Sequence, residues 1–141
     1  MGAFFLVRRS LFEALGGFDE RFFVYFEEVD LTVRARAMGW RTFYLSDARV
    51  YHKGGGTTDR VKAVRLFYSL RSRILYAYKH FGWWTGSALT VGTLVLEPFT
   101  RLTLAVAHMS VAELVATVGA YIMLLRAMPR TLKTAWWESQ A

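Results

Sequence analysis

Two adjacent carboxylates, a histidine and a run of three glycines are the groups in this sequence that can do chemistry together. Glu27 and Glu28 open an amphipathic segment; His52 lies beyond that segment's end, followed by Lys53 and Gly54-Gly55-Gly56. Adjacent residues at a helix start point in different directions. One carboxylate can therefore satisfy free backbone N–H groups while the other faces a cleft and takes a proton from a substrate hydroxyl. The same pair also reads as compensation of the helix dipole on a solvated face, and the residue types leave both roles open. His52 can ligate a divalent metal or bond a phosphate, with the glycines letting backbone N–H groups approach an anion. A half-buried histidine at a strand end is the plain alternative. Asp19 and Glu20 either bind acceptor hydroxyls or cap the next turn. Arg71 and Arg73 can clamp a diphosphate or touch lipid head groups. His80 and His108 sit in apolar contexts without partners at ligand spacing, so neither is given a role.

The elements that must position these groups are legible in outline. Ala3–Val7 reads as a short buried strand. The S-x-x-E pattern from Ser10 to Glu13 predicts a capping box on a brief helix, Leu11–Leu15, stopped by Gly16-Gly17. Phe18–Phe26 is a turn-rich aromatic segment. A second helix is expected from about Glu27 to Met38, ending at Gly39, with acidic residues in its first turn and Arg34 and Arg36 near its end. Asp30 and Arg34 form an i,i+4 pair in the favourable order. Trp40–Leu45 and Ala48–Tyr51 read as strands joined by Ser46-Asp47, and Lys53–Thr58 as a loop. Asp59 then caps a basic, aromatic, amphipathic helix over Arg60–Phe81, of the kind that lies on a membrane surface.

At 141 residues the chain has room for one modest domain, and its 54% apolar content is concentrated towards the C-terminus. The formal charge of +7 points to an anionic partner. The absence of cysteine excludes disulfides and thiolate metal sites. No signal peptide is expected at Met1, because the apolar run after it is short and is followed by Arg8-Arg9. Phe81–Leu96 is uncharged, Glu97-Pro98-Phe99-Thr100-Arg101 interrupts, and Leu102–Leu125 carries Glu113 as its only formal charge. Two stretches of roughly twenty residues can each span a bilayer. Tryptophans border them (Trp83 and Trp84; Trp136 and Trp137), and basic residues flank both outer ends, which suits a hairpin with both ends in the cytoplasm. A pair of core or interfacial helices is the alternative.

In order, GAFFLVRRSLFEALGGFDERFFVYFEEVDLTVRARAMGW, then VYHKGGGTT, then YSLRSRILYAYKHFG resembles the C-terminal half of a family-2 glycosyltransferase. The likeness is to the bacterial rhamnosyltransferase-like branch that builds cell-surface polysaccharides, and it covers about residues 2–81. It implies an α/β chain: a partial GT-A fold with a few strands and packed helices over 1–59, the amphipathic basic helix over 60–81, and a hydrophobic membrane-associated tail over 82–141. It also implies sugar transfer with inversion from a nucleotide-sugar donor to a glycan or lipid-linked acceptor, with Mg²⁺ or Mn²⁺, at the cytoplasmic face of the inner membrane. The family's acidic motif is usually Glu-Asp, an apolar residue and Asp; here it reads Glu27-Glu28-Val29-Asp30. That match makes Glu28 the catalytic base, with one methylene of extra reach. It places Asp19, Glu20 and Glu27 at the acceptor pocket, Arg71 at the diphosphate and His52 as a metal ligand. The family's nucleotide-binding half, with its Asp-x-Asp motif, does not occur in the sequence. The chain is thus expected to be an acceptor-side portion, inactive alone, that partners this missing half and contacts anionic membrane lipid. A non-catalytic membrane-associated binding or scaffold protein is the competing reading. Nucleic acid is not expected as a partner, because the basic residues cluster beside apolar segments and no recognition motif is present.

Overall fold

A computed structural model describes residues 4–51 and 61–138, with side chains described through Ala135. Helix α1, Arg9–Ala14, stops at the two glycines as expected. Gly16 and Gly17 adopt φ of 72° and 78°, a region that glycine enters without steric cost. The expected capping box does not form. Arg8 is the N-cap and makes no side-chain cap bond, and Glu13 instead accepts from Arg9 Nε at 2.8 Å. The i,i+4 pairing competes directly with the reach of Glu13 back to the backbone. Helix α2, Glu27–Ala37, ends one residue short of expectation, with Met38 as its C-cap and Gly39 at φ 83°.

The expected strands are absent: all regular structure among the described residues is helical. A strand exists by pairing, and no described segment offers a ladder to 4–7, 40–45 or 48–51. These stretches stay open, with Tyr44 93% and Tyr51 92% exposed. The α/β expectation is corrected accordingly for the described residues.

Helix α3, Lys62–Ala107, is two arms joined at Gly82, whose φ of 79° and ψ of 177° break the helical path. The arms fold back on each other. Arg73 Nη2 donates to Thr93 Oγ1 at 2.9 Å, and the Tyr78 and Ser87 hydroxyls lie 3.2 Å apart; in a straight helix the first pair would be about 30 Å apart. Helix α4, Val111–Glu138, then runs alongside the first arm in the same direction. Lys62 Nζ meets Glu113 Oε1 at 2.6 Å near its start, and Leu70 and Leu124 share a buried cluster further along. The Glu97-Pro98 segment, expected to interrupt the apolar tail, lies inside the second arm; the chain turns instead at Met109 (φ 48°), and Ser110 Oγ accepts from the Glu113 N–H at 3.3 Å.

The first arm is the centre of the fold. It supplies Leu70, Ile74, Leu75 and Tyr78 to the core, α4 supplies Tyr121 and Leu124, and Phe22 enters from the aromatic turn. This corrects the expectation of a helix lying on a membrane surface. Its basic side chains are directed to protein groups: Arg65 to the Tyr25 hydroxyl, Arg71 to the Arg21 carbonyl, Arg73 to Glu97, and Lys79 to Asp19 and Asp30. The second arm and α4 carry the outward apolar surface, with Val91, Val95, Phe99, Val115 and Leu125 all exposed. By length and composition α3 and α4 could each cross a membrane.

Candidate functional site

The expected base sits at the entrance of α2, immediately after a strained turn. Tyr25 and Phe26 take φ of 66° and 72°, a region that bulky side chains rarely occupy. Such residues cost of order 1–3 kcal/mol each and persist only where surrounding structure fixes them. Here Ser72 Oγ donates to the Val24 carbonyl at 2.9 Å, and the Phe26 ring rests 5.2 Å from that of Tyr76. The Asp30 N–H closes the first helical turn on the Phe26 carbonyl at 2.8 Å. The turn delivers Glu27 and Glu28 with one carboxylate oxygen of each below the surface. Glu27 Oε2 accepts no hydrogen bond among the described residues, a state that is costly for a carboxylate oxygen kept from water.

What holds α2 in place is a cluster of charges centred on Asp30, which is 0% exposed. Its Oδ2 accepts from Arg34 Nε at 2.8 Å, and its Oδ1 accepts from His80 Nε2 at 2.8 Å and from Lys79 at 2.5 Å. Arg34 also donates to the carbonyls of Leu15 and Gly17, at 2.7 and 2.8 Å, so it ties α2 to the turn after α1. Lys79 reaches Asp19 Oδ2 at 2.6 Å as well, and the Asp19 carboxylate is gripped from its other side by Arg21. Burial pushes both carboxyls up, but the cationic donors outweigh it: Arg21 and Lys79 hold Asp19 well below the usual range, and Lys79, His80 and Arg34 do the same for Asp30.

A second feature opens on the other side of the aromatic turn. A cleft of about 380 Å³ lies between that turn, the first arm of α3 and α4. Arg21, Arg71 and Arg130 line it together with Glu20, and Phe23 and Tyr68, 4.9 Å apart, form an aromatic wall.

The expected site residues therefore separate. Glu27 and Glu28 lie together at the α2 entrance, and Glu20 and Arg71 meet in the cleft. Asp19 does not face a pocket for acceptor hydroxyls; its oxygens are taken by Arg21 and by Lys79, which it shares with Asp30. His52 lies outside the described residues. Asp30, Lys79 and His80 were legible only as an i,i+4 partner, a basic residue of an amphipathic helix and a side chain without a role, since their meeting depends on packing between α2 and α3. Arg130 was legible only as one of the basic residues flanking the second apolar stretch, with no sign of its place in the cleft. Among the described residues no three His, Asp or Glu side chains converge to hold a metal ion. By themselves the described residues make no three-ligand site for Mg²⁺ or Mn²⁺.

Comparison with known proteins gives the class of this chain. Residues 1–74 match the model of the family described as glycosyltransferase like family 2, and the chain belongs to that family. It is similar to the N-acetylglucosaminyl-diphospho-decaprenol L-rhamnosyltransferases of two Mycobacterium tuberculosis strains, CDC 1551 and H37Rv. Identity to each is 43% over 84 residues, 59% of this chain and 27% of the relative. An O-antigen biosynthesis protein of Myxococcus xanthus is 45% identical over 47 residues, 33% of this chain and 4% of that protein. The chain thus spans about a quarter of the length of the rhamnosyltransferases it matches. No solved structure matches it.

Proposed function

We propose that the chain is the acceptor-side part of an inverting sugar-transfer enzyme of cell-surface polysaccharide synthesis. It serves transfer from a nucleotide-sugar donor to a glycan or lipid-linked acceptor at the cytoplasmic face of the inner membrane. The Glu28 carboxylate takes the proton of the acceptor hydroxyl. The acceptor oxygen bonds the anomeric carbon from the face opposite the leaving group, and the carbon–oxygen bond to the nucleoside diphosphate breaks with its electron pair on the diphosphate. Glu27 lies beside the acceptor, and Glu20 and Arg71 hold it further out. The observation that carries this reading is the delivery of the Glu27-Glu28 pair, partly below the surface, by a strained turn in a family-2 chain. The open segments 4–7, 40–45 and 48–51 are read as strands that pair with a nucleotide-binding half, without which the chain is inactive; the exposure of Phe43, Tyr44 and Tyr51 supports this.

The test is Glu28→Gln in an enzyme that includes that half. Loss of a general base lowers turnover by about 10²–10⁴-fold, and donor binding should remain near normal. Turnover at the wild-type rate would remove Glu28 from the base role.

A further inference from the structure

Resting on the proposed transfer to a lipid-linked acceptor, we infer that Arg130 of α4 joins Arg71 and Arg21 in a subsite for the acceptor's diphosphate. Arg130 lies outside the residues that match the family model, which end at position 74. The cleft brings it to the first arm of α3 regardless. Arg71 makes one described hydrogen bond, from Nη1 to the Arg21 carbonyl at 3.1 Å, which fixes its guanidinium at the cleft wall. The Arg130 guanidinium has no partner among the described residues. A guanidinium carries five donors, so both retain capacity for phosphate oxygens, and two guanidiniums from different helices suit two linked phosphates. Arg21 is balanced by Asp19 and serves mainly to hold the turn. Glu20 stands in the same cleft, where a carboxylate would repel a bare anion but accept hydroxyl hydrogen bonds. A sugar attached to the diphosphate provides those hydroxyls. Phe23, 73% exposed, and Tyr68 offer an apolar wall to a prenyl chain or a sugar face. The outer side of α4, with Ile122 and Leu125 exposed, gives a lipid tail an apolar path out of the cleft.

Binding of the full chain to three probes tests this: phosphatidylcholine vesicles doped with a polyprenyl diphosphate, the same vesicles doped to equal charge with phosphatidylglycerol, and inorganic pyrophosphate as competitor. The wild type should prefer the polyprenyl diphosphate vesicles, and pyrophosphate should displace it. Arg130→Gln should lose about tenfold on those vesicles, the worth of one charge-assisted hydrogen bond, and nothing on phosphatidylglycerol. Arg126→Gln, on the same helix but outside the cleft, should keep the preference. Equal losses on both vesicle types, no loss at all, or failure of pyrophosphate to compete would each overturn the subsite. Its fate is separable from that of the enzyme reading. Full turnover in Glu28→Gln sinks the base assignment and leaves these binding results standing.

Discussion

Replacing Asp30 by Asn should release α2 from the first arm of α3. The substitution preserves volume and one carbonyl oxygen but removes the charge that Lys79, His80 and Arg34 converge on. Asp30 is fully buried, so solvent does not substitute for the lost charge. Breaking a buried ion pair from one side costs about 3–5 kcal/mol. The lower end applies, because Lys79 keeps Asp19 and Arg34 keeps the Leu15 and Gly17 carbonyls. About 3 kcal/mol corresponds to a more than hundredfold rise in the population with α2 undocked. Amide hydrogen exchange reads this directly. Amides in the middle of α2 should exchange about a hundredfold faster in Asp30→Asn, while those of α4, which shares no charge with the cluster, should change little. Lys79→Met in the same background should cost less than it does alone, since its partner is already neutral. Unchanged protection of α2, or strictly additive costs, would refute the argument that this cluster docks the helix carrying Glu28.

The same carboxylates set an acid limit. Asp19 and Asp30 both have folded-state pKa values below the ordinary 3.8, so the unfolded chain binds protons first and stability rises with pH across that range. Their contribution should be complete above the ordinary carboxylate pKa and lost as pH falls through the lowered values; denaturant midpoints measured against pH should show a decline that is smaller in Asp30→Asn. At the hairpin, a Cβ at Gly86 would lie 2.5 Å from the Tyr78 ring, whereas one at Gly82 meets nothing within 4 Å. Gly86→Ala should therefore lower the denaturant midpoint by forcing the arms apart, typically by about 1–3 kcal/mol. Gly82→Ala should cost a similar amount through backbone strain alone. Only the former should also disturb Tyr78 fluorescence, and an unperturbed Tyr78 in Gly86→Ala would contradict the packed hairpin.

The parts of the fold that were legible in the sequence are those fixed by neighbours a few residues apart. The stop at Gly16-Gly17, the extent of α2 to within a residue and the Asp30–Arg34 pair all follow from local rules. The strands were read from composition, but a strand needs a partner that local sequence does not supply. The turn between the apolar helices is expected at Glu97-Pro98, where helix in fact continues with Glu97 paired to Arg73 and Arg101. The actual stop uses Ser110 and Glu113, an S-x-x-E pattern visible in the sequence but masked by the apolar run around it. At the site, the Glu27-Glu28 pair was found from its motif. The Asp30–Lys79–His80 meeting was not, since it joins residues about fifty positions apart.

The net charge of +7 looked outward in the sequence, towards lipid head groups. In the fold, the cations of the first arm turn inward instead: Arg73 and Lys79 each neutralise buried or half-buried carboxylates. They can be spared from lipid because the arm is covered on one side by the Phe22–Phe26 turn and on the other by α4. The cations left facing out near the apolar surface are Arg126, Arg130 and Lys133, all towards the end of α4. That end is also where the arginine-lined cleft opens. The arrangement divides the work of the positive charges between two helices. On α3, Lys79 fixes the helix that carries Glu27 and Glu28 and Arg73 ties the two arms together, while those on α4 face outward beside exposed apolar side chains.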